Sequence, residues 1–206
     1  MTNIGNRYEI SSLTNDKIKL INSLHHRKYR REHNLFVAEG VRICREATEN
    51  GWEIKYLLYD NLNIDTYKIK DLINDVLCLG ADVIEVTPEI LSKISHKETP
   101  QNVLCVICQK WNDLPSIIKD KTFVALETVR DPGNLGTILR TMDGVGATDC
   151  ILLDDCTDPF SYESVRASMG AIFNVNIIAS STKNFLKWKS KHEISLIGTS
   201  LINATD

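Results

Sequence analysis

The chain has 206 residues, of which 43% are hydrophobic and 25% charged, and its formal net charge is −3. This hydrophobic content can build the core of one large or two small globular domains, and no run approaches the roughly 20 apolar residues that span a bilayer, so we expect no membrane partner. The six cysteines are scattered through apolar runs. That pattern favours buried thiols in a reducing cytoplasm over a disulfide framework.

In the first half of the chain, short apolar runs alternate with amphipathic segments, which predicts an α/β domain over residues 1–113. Thr87 and Pro88 are residue types favoured at a helix N-cap and first helical position, and Gly51 is a typical helix stop. Helices are predicted over residues 16–29, 39–50, 69–79 and 88–95. Strands are predicted over residues 35–38, 54–59, 82–86 and 103–108.

A second α/β unit is predicted over residues 120–206, after a linker region at 111–120. Strands are predicted over residues 123–127, 150–153, 175–178 and 195–198. Helices are predicted over residues 135–145, 161–169 and 183–191. Strands that alternate with helices in this way indicate a mostly parallel sheet.

Positive charge is concentrated near the front of this otherwise acidic chain. The basic residues between positions 17 and 45 are Lys17, Lys19, Arg27, Lys28, Arg30, Arg31, Arg42 and Arg45, opposed only by Glu32 and Glu39. A local basic patch of this kind can bind nucleic-acid phosphates. Composition alone favours a solvated helix face equally well.

The cysteine and histidine patterns do not indicate a metal site. Cys105 and Cys108 form a CxxC pair, but the pair lies in an apolar run typical of a buried strand, and no second pair follows at zinc-ligand spacing. His25, His26 and His33 lie in the basic region. We interpret them as surface residues or RNA contacts, and we expect no metal ligand.

The segment from residue 131 to 147 has the pattern of a strand end, a tight turn and a helix. Asp131, Pro132 and Gly133 favour the turn, and Asn134 is expected at or near the helix N-cap. Gly136 is expected to allow a close approach of the backbone. Arg140 lies between apolar positions of the same helix, where its permanent charge would need partners.

Three interpretations of this segment compete. It could be a nucleotide-phosphate turn, but neither G-x-G-x-x-G nor G-x-x-x-x-G-K-[ST] is present. Arg140 could be a structural residue that ties the helix to a neighbouring loop, or a catalytic residue aimed at a polyanionic substrate. Spacing alone favours the structural interpretation.

Residues 131–147 resemble the first signature of the SpoU/TrmH RNA methyltransferases, Asn-x-Gly-x-x-x-Arg followed by a Gly-Ala end, with Asn134, Gly136 and Arg140 on the signature positions. Asp158-Pro-Phe and residues 165–173 resemble the family's later Lys/Arg-Ala-Ser-x-Gly-Ala segment. At the front, residues 10–13, 17–19, 27–30 and 36–42 look like the family's substrate-binding domain. The resemblance thus covers nearly the whole chain, in order.

This resemblance implies a ribosomal-protein-like α/β RNA-binding domain followed by a mostly parallel-sheet domain of the trefoil-knot (SPOUT) type, which binds S-adenosylmethionine and forms a homodimer when full length. The implied activity is methylation of a ribose 2′-hydroxyl in structured RNA, ribosomal RNA rather than transfer RNA. The alternative is a non-catalytic RNA-binding protein or an inactive fragment of such an enzyme.

The resemblance also implies roles for individual residues. Arg140 would contact the target phosphate or ribose and help the 2′-hydroxyl lose its proton, and Asn134 would orient it. Glu127, at the end of the preceding strand, would help to orient partners or be structural. The residues expected to bind RNA phosphates are Arg27, Lys28, Arg30, Arg31 and Arg42.

The sequence departs from the family pattern at its end. The Gly-x-Glu-x-x-Gly loop and the Ser-Leu-Asn run that line the family's cofactor pocket do not follow residues 195–198, which look like the strand that precedes them. We therefore expect the second domain to be C-terminally incomplete in this chain. Its cofactor-binding residues stay unassigned at this point.

Overall fold

The computed structural model describes residues 4–60, 67–96, 98–119 and 121–199. The first half of the chain builds a mixed five-stranded sheet with helices packed on it. Its strands are β1 (Arg7–Ile10), β2 (Leu35–Glu39), β3 (Ile54–Asp60), β4 (Asp82–Val86) and β5 (Val103–Cys108). Its helices are α1 (Asp16–Ser23), α2 (Arg27–His33), α3 (Val41–Glu49), α4 (Tyr67–Cys78) and α5 (Pro88–Ser95).

The strand order in this sheet is β1-β4-β3-β5-β2. β5 is antiparallel to both of its neighbours, and its first five residues are buried, because helices cover both faces of the centre of the sheet. β1 pairs in parallel with β4 at one edge. This strand was not predicted because most of its side chains are exposed, so it carries no apolar pattern.

Local capping signals account for the helix ends. Thr87 caps α5, and its hydroxyl accepts a hydrogen bond from the backbone N–H of Ile90, as predicted. The helix predicted over residues 16–29 is instead two helices, because His26 takes an extended conformation (φ −94°, ψ 129°) and begins a new helix. This break turns α2 away from the axis of α1.

The second half builds a three-stranded, wholly parallel sheet in the order β6-β7-β8, which confirms the predicted parallel α/β unit. Its strands are β6 (Phe123–Glu127), β7 (Asp149–Leu153) and β8 (Asn176–Ser180). Its helices are α6 (Pro132–Gly144), α7 (Tyr162–Ser168) and α8 (Thr182–Lys191). The strand predicted over residues 195–198 is wrong, since these residues form no regular structure.

An apolar core joins the two halves. Phe36 and Trp52 from the first half pack against Phe160 and Phe173 from the second, with ring centroids 4.9 Å apart for Phe36 and Phe160. The indole N–H of Trp52 donates a hydrogen bond of 3.0 Å to the Phe173 carbonyl. The backbone N–H of Asn112, inside the predicted linker, donates a hydrogen bond to the Ile177 carbonyl of β8. The two sheets are therefore held against each other.

α6 and α7 pack unusually closely at Gly136. A Cβ atom on Gly136 would lie 2.5 Å from Cβ of Ala167 and 2.7 Å from the carbonyl oxygen of Ser164. The expected close backbone approach is confirmed. It brings the exposed faces of α6 and α7 together along the boundary between the two halves.

Candidate active site between the two halves

The helix that carries the signature residues begins at Pro132 and is capped by Asp131. The Asp131 carboxylate accepts a hydrogen bond of 2.7 Å from the backbone N–H of Asn134. Asn134 therefore lies near the N-cap, as predicted, but the cap itself is Asp131, and Pro132 is the first helical residue. Capping by Asp131 leaves the Asn134 side chain exposed and without a hydrogen-bond partner among the described residues.

Arg140 lies further along α6 and also projects outward. The buried stripe of the helix consists of Leu135, Leu139 and Met142, and Arg140 is exposed beside it. Within the described ranges its guanidinium makes no hydrogen bond or ion pair, so the expectation that it would need internal partners is wrong. A permanent positive charge that ties down no neighbouring loop is free to meet an anionic ligand.

Arg140 and Asn134 line a cleft of about 750 Å³ between the two halves of the chain. His25 and His96 line it from the first half of the chain, at the end of α1 and the end of α5. Arg166 of α7 completes a pair of arginines in this cleft. Glu127 is exposed at the end of β6 but is not among the residues that line the cleft.

Two acidic residues, Asp131 and Glu163, also line the cleft, so they balance the two arginines in formal charge. Asp131 is occupied in capping α6, and Glu163 lies on α7 one turn before Arg166. Arg166, like Arg140, is exposed and has no ion-pair partner in the part of the chain that the structure describes. The cleft therefore offers two guanidinium groups that form no ion pair with any described residue, and the guanidinium is a group well suited to phosphate recognition.

A second, smaller cleft of about 320 Å³ continues from the first one. Tyr162, Arg166 and Met169 line both clefts, and Arg42 lines the second. The Tyr162 hydroxyl donates a hydrogen bond to the Glu39 carboxylate, which holds α7 against β2 across the boundary. Arg42 and Arg140 thus lie on one groove between the halves, with Arg166 where its two parts meet.

The other basic residues predicted to bind RNA lie elsewhere. Arg27 and Arg31 line a cleft of about 680 Å³ at the carboxyl ends of β7 and β8, together with the half-exposed Trp111. Lys28 is exposed, and its ammonium nitrogen lies 5.5 Å from the centre of the Tyr29 ring. The structure therefore distributes the predicted RNA contacts over two surfaces instead of one patch.

Arg30 is not available for an RNA phosphate, so its assignment as an RNA contact is wrong. Only 4% of Arg30 is exposed, and its Nε and Nη2 donate hydrogen bonds of 2.9 and 2.7 Å to one carboxylate oxygen of Asp158, which is 7% exposed. Its Nη1 donates to the carbonyls of Leu24 and His25, each at 2.8 Å. Arg30 instead fastens α2 to the second half of the chain.

The three histidines of the basic region differ in their surroundings. His26 and His33 are exposed, whereas His25 is half-buried and stacks on His96 with ring centroids 3.8 Å apart. Burial is the main cause that lowers the pKa of His25 below its usual 6.5. His96 was not singled out from the sequence because it lies far along the chain, and nothing in its local pattern indicates the contact.

The CxxC pair lies in strand β5, as predicted. Cys105 is buried in β5, and burial raises the pKa of its thiol well above its usual range. Burial also raises the pKa of Cys108 to about 11.

No group of three or more metal-ligating side chains occurs within the described ranges. No helix within those ranges is both long and apolar enough to cross a membrane.

The structure defines an α/β protein with two exposed arginines, Arg140 and Arg166, in a cleft between a mixed-sheet half and a parallel-sheet half. Family models match both halves: residues 15–105 match the MRM3-like substrate binding domain, and residues 121–206 match the SpoU rRNA Methylase family. The rRNA methyltransferase from Sinorhizobium meliloti superimposes with a TM-score of 0.83 and 38% identity, covering 90% of this chain and 70% of that one. The chain belongs to the SpoU rRNA methylase family.

Other relatives are similar over most of this chain. The SpoU methyltransferase AviRb from Streptomyces viridochromogenes, solved in complex with AdoMet, has a TM-score of 0.78 at 26% identity and covers 87% of this chain and 68% of that one. The Bacillus subtilis 23S rRNA (guanosine(2553)-2′-O)-methyltransferase RlmP is 27% identical over 195 residues, 95% of this chain and 74% of RlmP. Human mitochondrial rRNA methyltransferase 3 is 30% identical, over 80% of this chain and 38% of its own length.

Proposed function

We propose that the whole protein transfers a methyl group from S-adenosylmethionine to a ribose 2′-hydroxyl of ribosomal RNA. The observation that carries this proposal is the exposed guanidinium of Arg140 in the cleft between the two halves, which pairs with no residue that the structure describes. Relatives named as 23S rRNA 2′-O-methyltransferases support the reaction and the substrate class. The proposal includes the division into an RNA-binding domain, 1–113, and a methyltransferase domain, 120–206.

Arg140 and Asn134 would act on the ribose and its phosphate. A guanidinium stays protonated, so Arg140 holds a phosphate and stabilises the negative charge that develops on the 2′-oxygen as its proton leaves. The exposed Asn134 amide, on the first turn of the same helix, can orient that ribose or the Arg140 side chain. Glu127, outside the cleft lining, would act by orienting partners at the end of β6.

S-adenosylmethionine supplies the methyl group as a sulfonium, and solved relatives carry AdoMet. The described residues do not themselves enclose a site that fits this cofactor. No buried side-chain nitrogen or oxygen within them lacks a hydrogen-bond partner, and Glu127, Asn134 and Arg140 are all exposed. We therefore assign no residue to the cofactor.

The RNA would lie along the groove between the halves. Arg42, Arg166 and Arg140 offer a path for consecutive phosphates, while Arg27, Lys28 and Arg31 offer a second contact surface near Trp111. Shape recognition of structured RNA with unstacked nucleotides suits such a groove better than duplex readout. The proposal also includes a homodimer. It further includes a cytoplasmic location, where ribosomal RNA and free thiols occur together.

The test is methyl transfer from tritiated S-adenosylmethionine to large-subunit ribosomal RNA taken from cells that lack the gene. Arg140→Ala should lower the rate roughly 10²- to 10³-fold, the usual cost of losing one group that stabilises a developing oxyanion, with RNA binding largely kept. Arg45→Ala is the control, because Arg45 pairs with Asp75 away from the cleft. Methyl transfer to tRNA alone would contradict ribosomal RNA as the substrate. An Arg140→Ala protein with an unchanged rate would contradict the assignment of this cleft as the active site.

RNA binding without any methyl transfer by the wild-type protein would favour a different function, a non-catalytic RNA-binding protein.

A further inference from the structure

We propose that the exposed ring of His96, stacked on His25, is the binding site for an unstacked nucleobase of the RNA substrate. This inference rests on the proposed function, because it places the base of a bound nucleotide beside the arginines that would hold its ribose and phosphate.

Three aromatic rings from three separate elements form the site. His25 follows α1, His96 follows α5, and Tyr162 begins α7 in the other half of the chain. The His25 and His96 rings are stacked, with an interplanar angle of 22°. The Tyr162 ring lies on the other side of the boundary, with its centroid 5.4 Å from that of His25.

Hydrogen bonds at the ring edges hold this stack and leave the outer face of His96 open. A ring nitrogen of His25 bonds to the carbonyl of Ile94, and Nε2 of His96 lies 3.1 Å from Oδ1 of Asn22. His96 is exposed, and no aromatic ring in the described part of the chain other than His25 stacks on it. A flat π-face in a fixed orientation therefore faces solvent.

The position of this face fits a nucleotide bound at Arg140. His25, His96 and Tyr162 line the same cleft as Arg140 and Asn134, with the two histidines contributed by the first half of the chain. Proteins recognise single-stranded RNA bases by stacking them on aromatic rings, and each stacked base contributes about 1–3 kcal/mol. A phosphate at the arginines and a base at the histidines would use residues from both halves of the chain.

The protonation of His25 is compatible with stacking. Burial, helped by the positive charges of His96 and Arg30, lowers its pKa, while the bond to Ile94 and the negative charge of Glu163 act in the opposite direction. The inner ring is therefore neutral near neutral pH. His96 can stack on it without two like charges facing each other.

The test is an NMR titration that follows the histidine ring signals of the 206-residue chain. The probe is tetraadenylate, and the control ligand is the same ribose-phosphate tetramer without bases. We expect tetraadenylate to shift the His96 and His25 signals through the ring current of a stacked base, while the base-free tetramer leaves them in place. His192, which follows α8 and lines neither this cleft nor the one at Arg27, serves as the internal reference.

Substitutions separate stacking from other roles of His96. His96→Ala should weaken tetraadenylate binding roughly 5- to 150-fold, the loss of one stacked base. His96→Phe keeps a flat ring without the bond to Asn22 and should bind nearly as well as the wild type. Equal shifts with the base-free tetramer, or undiminished binding by His96→Ala, would overturn the inference.

The titration needs neither a methyl donor nor ribosomal RNA, so it is independent of the methyl-transfer assay. A chain that stacks tetraadenylate on His96 but methylates no rRNA would keep the base site and reject the proposed function. Methyl transfer to ribosomal RNA without any shift of the His96 signal would keep the proposed function and reject the base site.

Discussion

Replacing Arg30 by Met should destabilise the protein strongly because it leaves the carboxylate of Asp158 buried without its counter-charge. The lost guanidinium makes four hydrogen bonds, two to Asp158 and one each to the carbonyls of Leu24 and His25. Removing one partner of a buried ion pair costs about 3–5 kcal/mol. For a chain of this size that loss lowers the melting temperature by roughly 6–20 °C.

The assay is thermal unfolding followed by circular dichroism, with urea unfolding to obtain the free energy. Arg31→Met is the matched control, because Arg31 is exposed on the same helix, and its effect should stay within about 0.5 kcal/mol. Adding Asp158→Asn to Arg30→Met removes the stranded charge and keeps an oxygen for the N–H of Phe160, so it should restore part of the stability. An Arg30→Met protein as stable as wild type but weaker in RNA binding would refute this reasoning.

Three further outcomes are expected. Gly136→Ala should cost about 1–3 kcal/mol by forcing α6 from α7, whereas Gly144→Ala, with nothing within 4 Å, should be neutral or stabilising in urea unfolding. Iodoacetamide should alkylate the exposed Cys78 of the native protein long before Cys105, because Cys105 is buried and its thiol pKa is raised. Mass spectrometry of digests measures the two rates, and equal rates would contradict the burial of Cys105. Folding lowers the pKa of His25, so the contribution of its neutral ring to stability is fully present above pH 6.5 and is lost as the pH falls through the folded-state pKa. Urea unfolding at several pH values should therefore show that His25→Gln loses less free energy of unfolding at low pH than the wild type does.

Features set by local chemistry could be predicted from the sequence. The helix Pro88–Ser95 begins where its Thr87 cap and its proline indicate, and β5 follows its apolar run. The parallel second sheet follows from strands that alternate with helices. Each of these depends on residues that are close together in the chain.

Features set by distant residues could not be predicted. Arg30 looks like its exposed neighbour Arg31 in the sequence, and its partner Asp158 lies 128 residues away. His96 meets His25 only because α5 and α1 pack in the folded chain. The Arg30–Asp158 pair and the His25–His96 stack could not be predicted for the same reason, because no local sequence pattern encodes a contact between distant parts of the chain.

Arg140 illustrates an intermediate case. Its neighbours Leu139 and Met142 suggested burial, but the buried stripe runs through Leu135, Leu139 and Met142 at helical spacing. A step of about 100° per residue places Arg140 beside that stripe instead of within it. The family resemblance supplied the role that spacing alone did not favour.

The most direct measurement is a map of ribose 2′-O-methylation across ribosomal RNA in cells that lack the gene and in cells complemented with the wild-type gene or with Arg140→Ala. A methyl group at a ribosomal RNA ribose should be missing without the gene, return with the wild type and stay missing with Arg140→Ala. An unchanged methylation map in the cells that lack the gene, or full restoration by Arg140→Ala, would contradict a 2′-O-methyltransferase centred on this cleft.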